Sequence, residues 1–173
     1  MKGHATVTAT SGNDPELTRI YEIVEANVDE STDFLSPKVK HLYRWWALAN
    51  DGQMPKRKMF DILDHRSIVA NLFVADVLPT GEFQFRILGE EVIRIIGRNR
   101  TGEMVTHKSK GEYGHELYEY YRTVVANRLC RKCTGTLMFA IGGARRFESI
   151  DCPLADDSSD AVCAIIGVMD VVK

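Results

Sequence analysis

The stretch "LFVADVLPTGEFQFRILGEEVIRIIGRNRTG" (Leu72–Gly102) decides the fold. Its apolar, β-prone opening predicts a strand over 71–78. Pro79-Thr80-Gly81-Glu82 reads as a hairpin turn, since Pro and Gly supply backbone angles that a turn needs. Phe83, Phe85 and Ile87 then alternate along a second strand and should share one face of a sheet. At Gly89 the chain is expected to leave the strand for a short apolar helix. Gly97 follows Ile96, where a left-handed residue commonly closes a helix. Gly102 permits a further turn. This path brings Val92, Ile96 and Met104 over Phe85 and Ile87.

Three glycines around one short helix also suggest a phosphate cradle. A dinucleotide loop needs G-x-G-x-x-G at the turn of a parallel βαβ unit. Gly89, Gly97 and Gly102 are spaced too widely, and a hairpin implies antiparallel strands. The Gly-Lys-Ser/Thr of a Walker loop is absent as well. The glycines therefore read as points of chain reversal.

Upstream, residues 1–13 are small and polar and read as a mobile tail. Asp14-Pro15 opens a predicted helix over 15–28, with Leu17, Ile20, Tyr21, Val24 and Val28 on one face. Ser36-Pro37 opens a second helix to residue 50, in which Val39, Leu42, Tyr43 and Trp46 mark one face and Trp45, Leu48 and Ala49 another. A helix apolar on two sides needs cover on both. Gly52 and Pro55 punctuate a loop over 51–58, and 59–70 reads as a weakly helical stretch. Downstream, a helix is predicted over 115–128. Strands near 133–141 and 145–154 are joined at Gly142-Gly143, and a last strand covers 161–172. The expected organisation is a tail (1–13), an N-terminal helical region and loop (14–58) and an α+β domain (59–173).

The 173 residues carry a net charge of −2, which argues against nucleic acid as the main partner. The basic residues are scattered and lack the interleaved aromatics of a single-strand binder. No apolar run reaches the roughly 18 residues of a membrane span. The N-terminus lacks the apolar core of a signal peptide. A cytoplasmic location with reduced cysteines is expected.

The order of elements is similar to that of a PAS domain, a five-stranded antiparallel sheet with helices over one face. "HLYRWWALANDGQMPKR", "LFVADVLPTGEFQFRILG", "IGRNRTG", "YYRTVVANR" and "RRFESIDCPLADD" together resemble one bacterial family of short PAS proteins. In that family a Tyr-Trp helix leads through a Met-Pro-x-Arg loop to the core. Tyr43, Trp46, Met54, Pro55 and Arg57 match those positions. The resemblance covers residues 38–172. The chain departs from it at Gly89-Glu90, often Gly-Thr in the family, and at Asp61-Ile62, often Asp-Pro. The resemblance implies ligands held between sheet and helices, in a space bounded by Phe83, Phe85, Ile87, Val92, Ile96, Met104, Tyr118, Tyr121 and Met138. Arg86, Arg146 and Glu148 are the strand residues that could add polar groups. The N-terminal helices would cover the other face of the sheet.

Cofactor chemistry finds little purchase. Haem needs an axial His; His107 and His115 flank the long helix but sit in or beside a polar segment. Flavin photochemistry in this fold needs a cysteine near the helix after the second strand, and all four cysteines come later. Cys130-x-x-Cys133 has metal-ligand spacing. Cys133 is expected opposite about residue 153, and Cys152 opposite about 164, which would gather them with Cys163 at one sheet end. Opposed faces at 152 and 153 count against a zinc site. No catalytic motif is present, and Glu148 and Asp151 should face opposite ways on one strand.

The expectation is thus a non-enzymatic sensor or interaction module in signalling. With no room for an output domain, it should pass its signal to a separate protein or act through its own dimer. Tyr21, Trp45, Leu48 and Ala49 on the N-terminal helices are the expected interface. A stand-alone metabolite-binding protein is the alternative.

Overall fold

The computed structural model describes residues 19–110, 114–139 and 143–173. Its elements run β1 (Arg19–Asn27), α1 (Pro37–Leu48), three 3-10 turns between Arg57 and Asn71, β2 (Leu72–Val77), β3 (Phe83–Leu88), α2 (Glu90–Ile96), β4 (Met104–Val105), α3 (Gly114–Asn127), β5 (Arg131–Phe139), β6 (Gly143–Ala155) and β7 (Val162–Val172). One seven-stranded sheet has the order β1-β5-β6-β7-β2-β3-β4, and every pairing between these strands is antiparallel. The five expected strands form its middle, and β1 and β4 extend its two edges.

β1 corrects the sequence reading. Residues 19–27 were expected in a helix and instead pair with β5, from Arg19 opposite Met138 to Asn27 opposite Arg131. Ile, Tyr and Val suit a strand as well as a helix, and the free edge of β5 offers a ladder that an isolated helix cannot match. A register shift between Tyr21 and Val24, with Glu22 at φ 55°, bends the strand. The expected tail, Asp14-Pro15 and Leu17 lie outside the described residues.

Both faces of the sheet are covered, so its central strands carry buried apolar residues on both sides. On one face α2 and α3 pack over Phe73, Ala75, Phe83, Phe85, Phe147, Ile165 and Met169. On the other α1 packs over Leu72, Val74, Ile150, Cys152, Leu154, Ile166 and Val168. The two sets alternate along β2, β6 and β7, as the pleat requires.

Local chemistry sets α1. Ser36 caps it by accepting the amides of Lys38 and Val39, both at 3.2 Å, and Pro37 takes the first helical position. Its N-terminus is also tied to the sheet. Glu148, fully buried on β6, accepts the amides of Leu35 (3.0 Å) and Ser36 (2.7 Å) and meets Lys132 Nζ at 3.3 Å. The Ser36 hydroxyl donates to Asp170 on β7 at 2.8 Å. Glu148 is therefore an anchor for α1 rather than a group for the ligand space.

Gly97 ends α2 at φ 83°, as its position after Ile96 predicts. Gly89 serves differently: its φ of −65° suits any residue. A Cβ there would collide with the carbonyls of Val69 and Ala70, so close backbone approach demands the glycine.

Candidate functional site

Between the α2–α3 side and the sheet lies a cavity of about 730 Å³, within the usual size range of small-molecule sites. Phe85 and Leu88 of β3, Val92 and Ile96 of α2, and Leu117, Tyr120 and Tyr121 of α3 form one wall. Ile20 and Ile23 of β1, Cys133 of β5 and Phe147, Ser149 and Asp151 of β6 form the other. Phe73, Glu25, Arg98, Arg100, Glu103, Lys110 and Glu116 are among the other lining residues.

Of the residues expected here, Phe85, Val92, Ile96 and Tyr121 line the cavity. Phe83 is buried beside it, its ring 5.2 Å from Tyr121 and 5.9 Å from Tyr118. Tyr118 and Met104 are half-buried outside the lining. Ile87 points away and is 44% exposed. A bulge is the cause: Ala75 pairs with Phe85 while Val74 pairs with Ile87, which leaves Arg86 as the extra residue. After the bulge Leu88 takes the inward place that alternation assigns to Ile87. Arg86 turns outward to an ion pair with Asp76, which Arg57 also meets at 2.7 Å. Met138 is 40% exposed because its neighbour Leu137 takes the buried side of β5. Arg146 lies exposed near the start of β6.

The polar part of the site was not expected. Asp151 is buried, and Tyr120 donates its hydroxyl to Oδ2 at 2.8 Å. Among the described residues no donor meets Oδ1. Burial pushes the carboxyl up to about 7, although the Tyr120 bond favours the ionised form. The Arg131 charge opposes this shift in part; its buried Nε has no acceptor among the described residues, and its other nitrogens bind elsewhere. Arg131 binds Glu25 and Asn27, each at 3.0 Å, and its guanidinium stands 5.5 Å from the Tyr120 ring centre. Arg100 binds Glu103 at 2.7 Å and stands 5.0 Å from the Phe85 ring centre. Its buried Nε has no acceptor among the described residues. Burial also raises the Tyr120 and Tyr121 phenols well above their usual value and takes Cys133 to about 12. These groups hold their protons at neutral pH, and a protonated thiol is a poor nucleophile. The signal for the missed pair was Ser149-Ile150-Asp151, two polar residues at alternate positions and so on the same side of β6.

Glu148 and Asp151 do face opposite ways, toward α1 and α3 respectively. The cysteines do not gather as the expected registers required. Cys133 pairs with Ser149 rather than about residue 153, because Phe139 already pairs with Gly143; residues 140–142 lie outside the described residues. Cys152 pairs with Ile166. Cys130 and Cys152 meet in the other core, Sγ to Sγ 2.8 Å, while Cys133 faces the cavity. Among the described residues no group of three or more His, Cys, Asp or Glu is placed to hold a metal. His107 and His115 are both exposed and neither lines the cavity.

The expected interface is rearranged as well. Tyr21 lies on β1, and Trp45 packs edge-on against Phe60 (4.9 Å) and His65 (5.6 Å). Ala49 is half-buried as the cap of α1, and Leu48 is 74% exposed. No helix among the described residues is long and apolar enough to cross a membrane.

No curated protein matches the chain. A solved structure titled "Structure of an RNA-binding Light-Oxygen-Voltage Receptor" is similar at 15% identity with a TM-score of 0.45. The similarity covers 87% of this chain and 38% of that one. A family model described as PAS domain matches residues 35–170, and the chain belongs to the PAS-domain family.

Proposed function

We propose that the protein is a non-catalytic PAS sensor module that takes a small molecule into the cavity and reports its presence through contacts made by the α1 face. The observation that carries this reading is a roomy cavity with apolar walls onto which Asp151, Ser149, Tyr121 and Arg100 converge. Few, convergent polar groups in an apolar hollow are what a specific ligand site needs.

β6 links the cavity to the opposite face. Ser149 and Asp151 line the cavity, while Glu148, their neighbour on the same strand, holds the first amides at α1. A ligand that favours one position of β6 shifts the population of α1 positions by its differential affinity. The recipient is a second copy of the chain or a separate signalling protein. Exposed Leu48 and Leu63 supply apolar contact area near α1.

Native mass spectrometry of freshly purified protein tests the site. A bound small molecule is expected on the wild type and absent from Val92→Trp, whose added indole enters the cavity from α2 and displaces the ligand's body. Retention of the same compound by Val92→Trp would remove the cavity from the reading. Light scattering of wild type and Leu48→Glu then tests the α1 face: the wild type should be the larger species.

A further inference from the structure

A buried acid, Asp151, lines the cavity with no salt bridge among the described residues. Asp151 is a buried carboxylate with one hydrogen bond, and Oδ1 has no donor among the described residues. Burying a carboxylate is costly unless a cation or further donors meet it. The groups around it do not complete it. Tyr120 has a single hydroxyl hydrogen, for which Asp151 Oδ2 (2.8 Å) competes with the Arg131 carbonyl (3.1 Å). Arg131 bonds to Glu25 and Asn27 and only partly offsets the charge of Asp151 from a distance, while Arg100 is held by Glu103. The adjoining walls are the faces and edges of Phe73, Phe85, Phe147 and Tyr121, surfaces that suit an organic cation.

We infer that the cavity is built for an organic ammonium ligand, whose protonated nitrogen completes the pair at Asp151 and whose apolar body lies against Phe85, Val92, Ile96 and Leu117. The inference rests on the cavity being a ligand site. An anionic ligand of the same shape meets Asp151 with like charge, and a neutral alcohol supplies a hydrogen bond without the counter-charge. The rim cations do not reverse the preference: Arg98 and Arg100 share Glu103, and the lining's Arg98, Arg100 and Lys110 are outnumbered by Glu25, Glu103, Glu116 and Asp151.

Three probes of matched shape separate these cases: 3-phenylpropylamine, 3-phenylpropan-1-ol and 3-phenylpropanoate. Each is titrated into isotope-labelled full-length protein by NMR, above pH 7 where Asp151 is ionised. The amine should bind about tenfold tighter than the alcohol, with the acid weakest. Asp151→Asn should erase the difference between amine and alcohol, the amine losing about tenfold and the alcohol far less, since Asn still offers a hydrogen-bond partner. Val92→Trp should remove the binding of all three. Equal or tighter binding of the alcohol or acid would overturn the ammonium assignment and leave the ligand site standing. So would a preference for the amine that survives Asp151→Asn. Binding of the amine to Val92→Trp as well as to wild type would place it elsewhere. Failure of all three probes to bind would remove the site together with the inference.

Discussion

Replacing Asp151 with Asn tests the unpaired carboxylate through stability alone. The carboxyl is held near pH 7 in the folded protein against an ordinary value of 3.8. Between these values the native state keeps a proton that the unfolded chain has released. Stability therefore falls as pH rises through that window and levels off above about pH 7. At 1.36 kcal/mol for each unit, the ionised carboxylate costs on the order of 4 kcal/mol at the plateau. Asn keeps an acceptor for the Tyr120 hydroxyl, and its amide opens on the cavity rather than into packed side chains. The variant should thus be more stable than wild type above pH 7, by as much as about 4 kcal/mol, with the gain vanishing towards pH 4. Urea denaturation of both proteins across this range measures it, since other titrating groups cancel in the difference. A difference that does not change with pH, or a less stable variant at pH 8, would refute the reasoning.

Other perturbations have defined outcomes. Glu148→Ala leaves the amides of Leu35 and Ser36 and the Lys132 ammonium without their acceptor, and should cost about 3 kcal/mol in chemical denaturation. Gly167 lies beneath the Phe73 ring, which a Cβ would strike, so Gly167→Ala should cost about 2 kcal/mol. Combining it with Phe73→Leu should recover part of that loss. In native protein Cys163, half-exposed and beside Arg57, should react first with a thiol reagent. Cys130, Cys133 and Cys152, each raised by burial, should be labelled only on unfolding, as peptide mass spectrometry would read.

The local signals were read well where a single residue type sets the geometry. Gly81 turns the β2–β3 hairpin at φ 82°, Gly97 closes α2, and Ser36-Pro37 starts α1. The period of α3 placed it within one residue of its observed span. Where two structures were locally acceptable, neighbours decided. Residues 19–27 carry a helical spacing of apolar groups and also strand-forming side chains, and the open edge of β5 selected the strand. Alternation predicted Ile87 inside, and one extra residue at Arg86 reversed every later side chain of β3. The difference matters for the site, since it exchanges Ile87 for Leu88 in the cavity wall.

Taken by itself, the sequence determined that this chain makes an antiparallel sheet with helices on both faces, because periodicity, caps and turn glycines act over a few residues. It also carried enough ordered matches to resemble the PAS family. Tertiary structure alone decided what the cavity is. Asp151 sits in an ordinary strand next to Ile150 and Cys152, and nothing in that string tells which face α3 will cover. Only when Tyr120 closes over β6, and the nearby arginines are bound to Glu25 and Glu103, does Asp151 become a buried acid with no cation bonded to it among the described residues. Burial and charge balance depend on residues far apart in the chain, and there the sequence is silent.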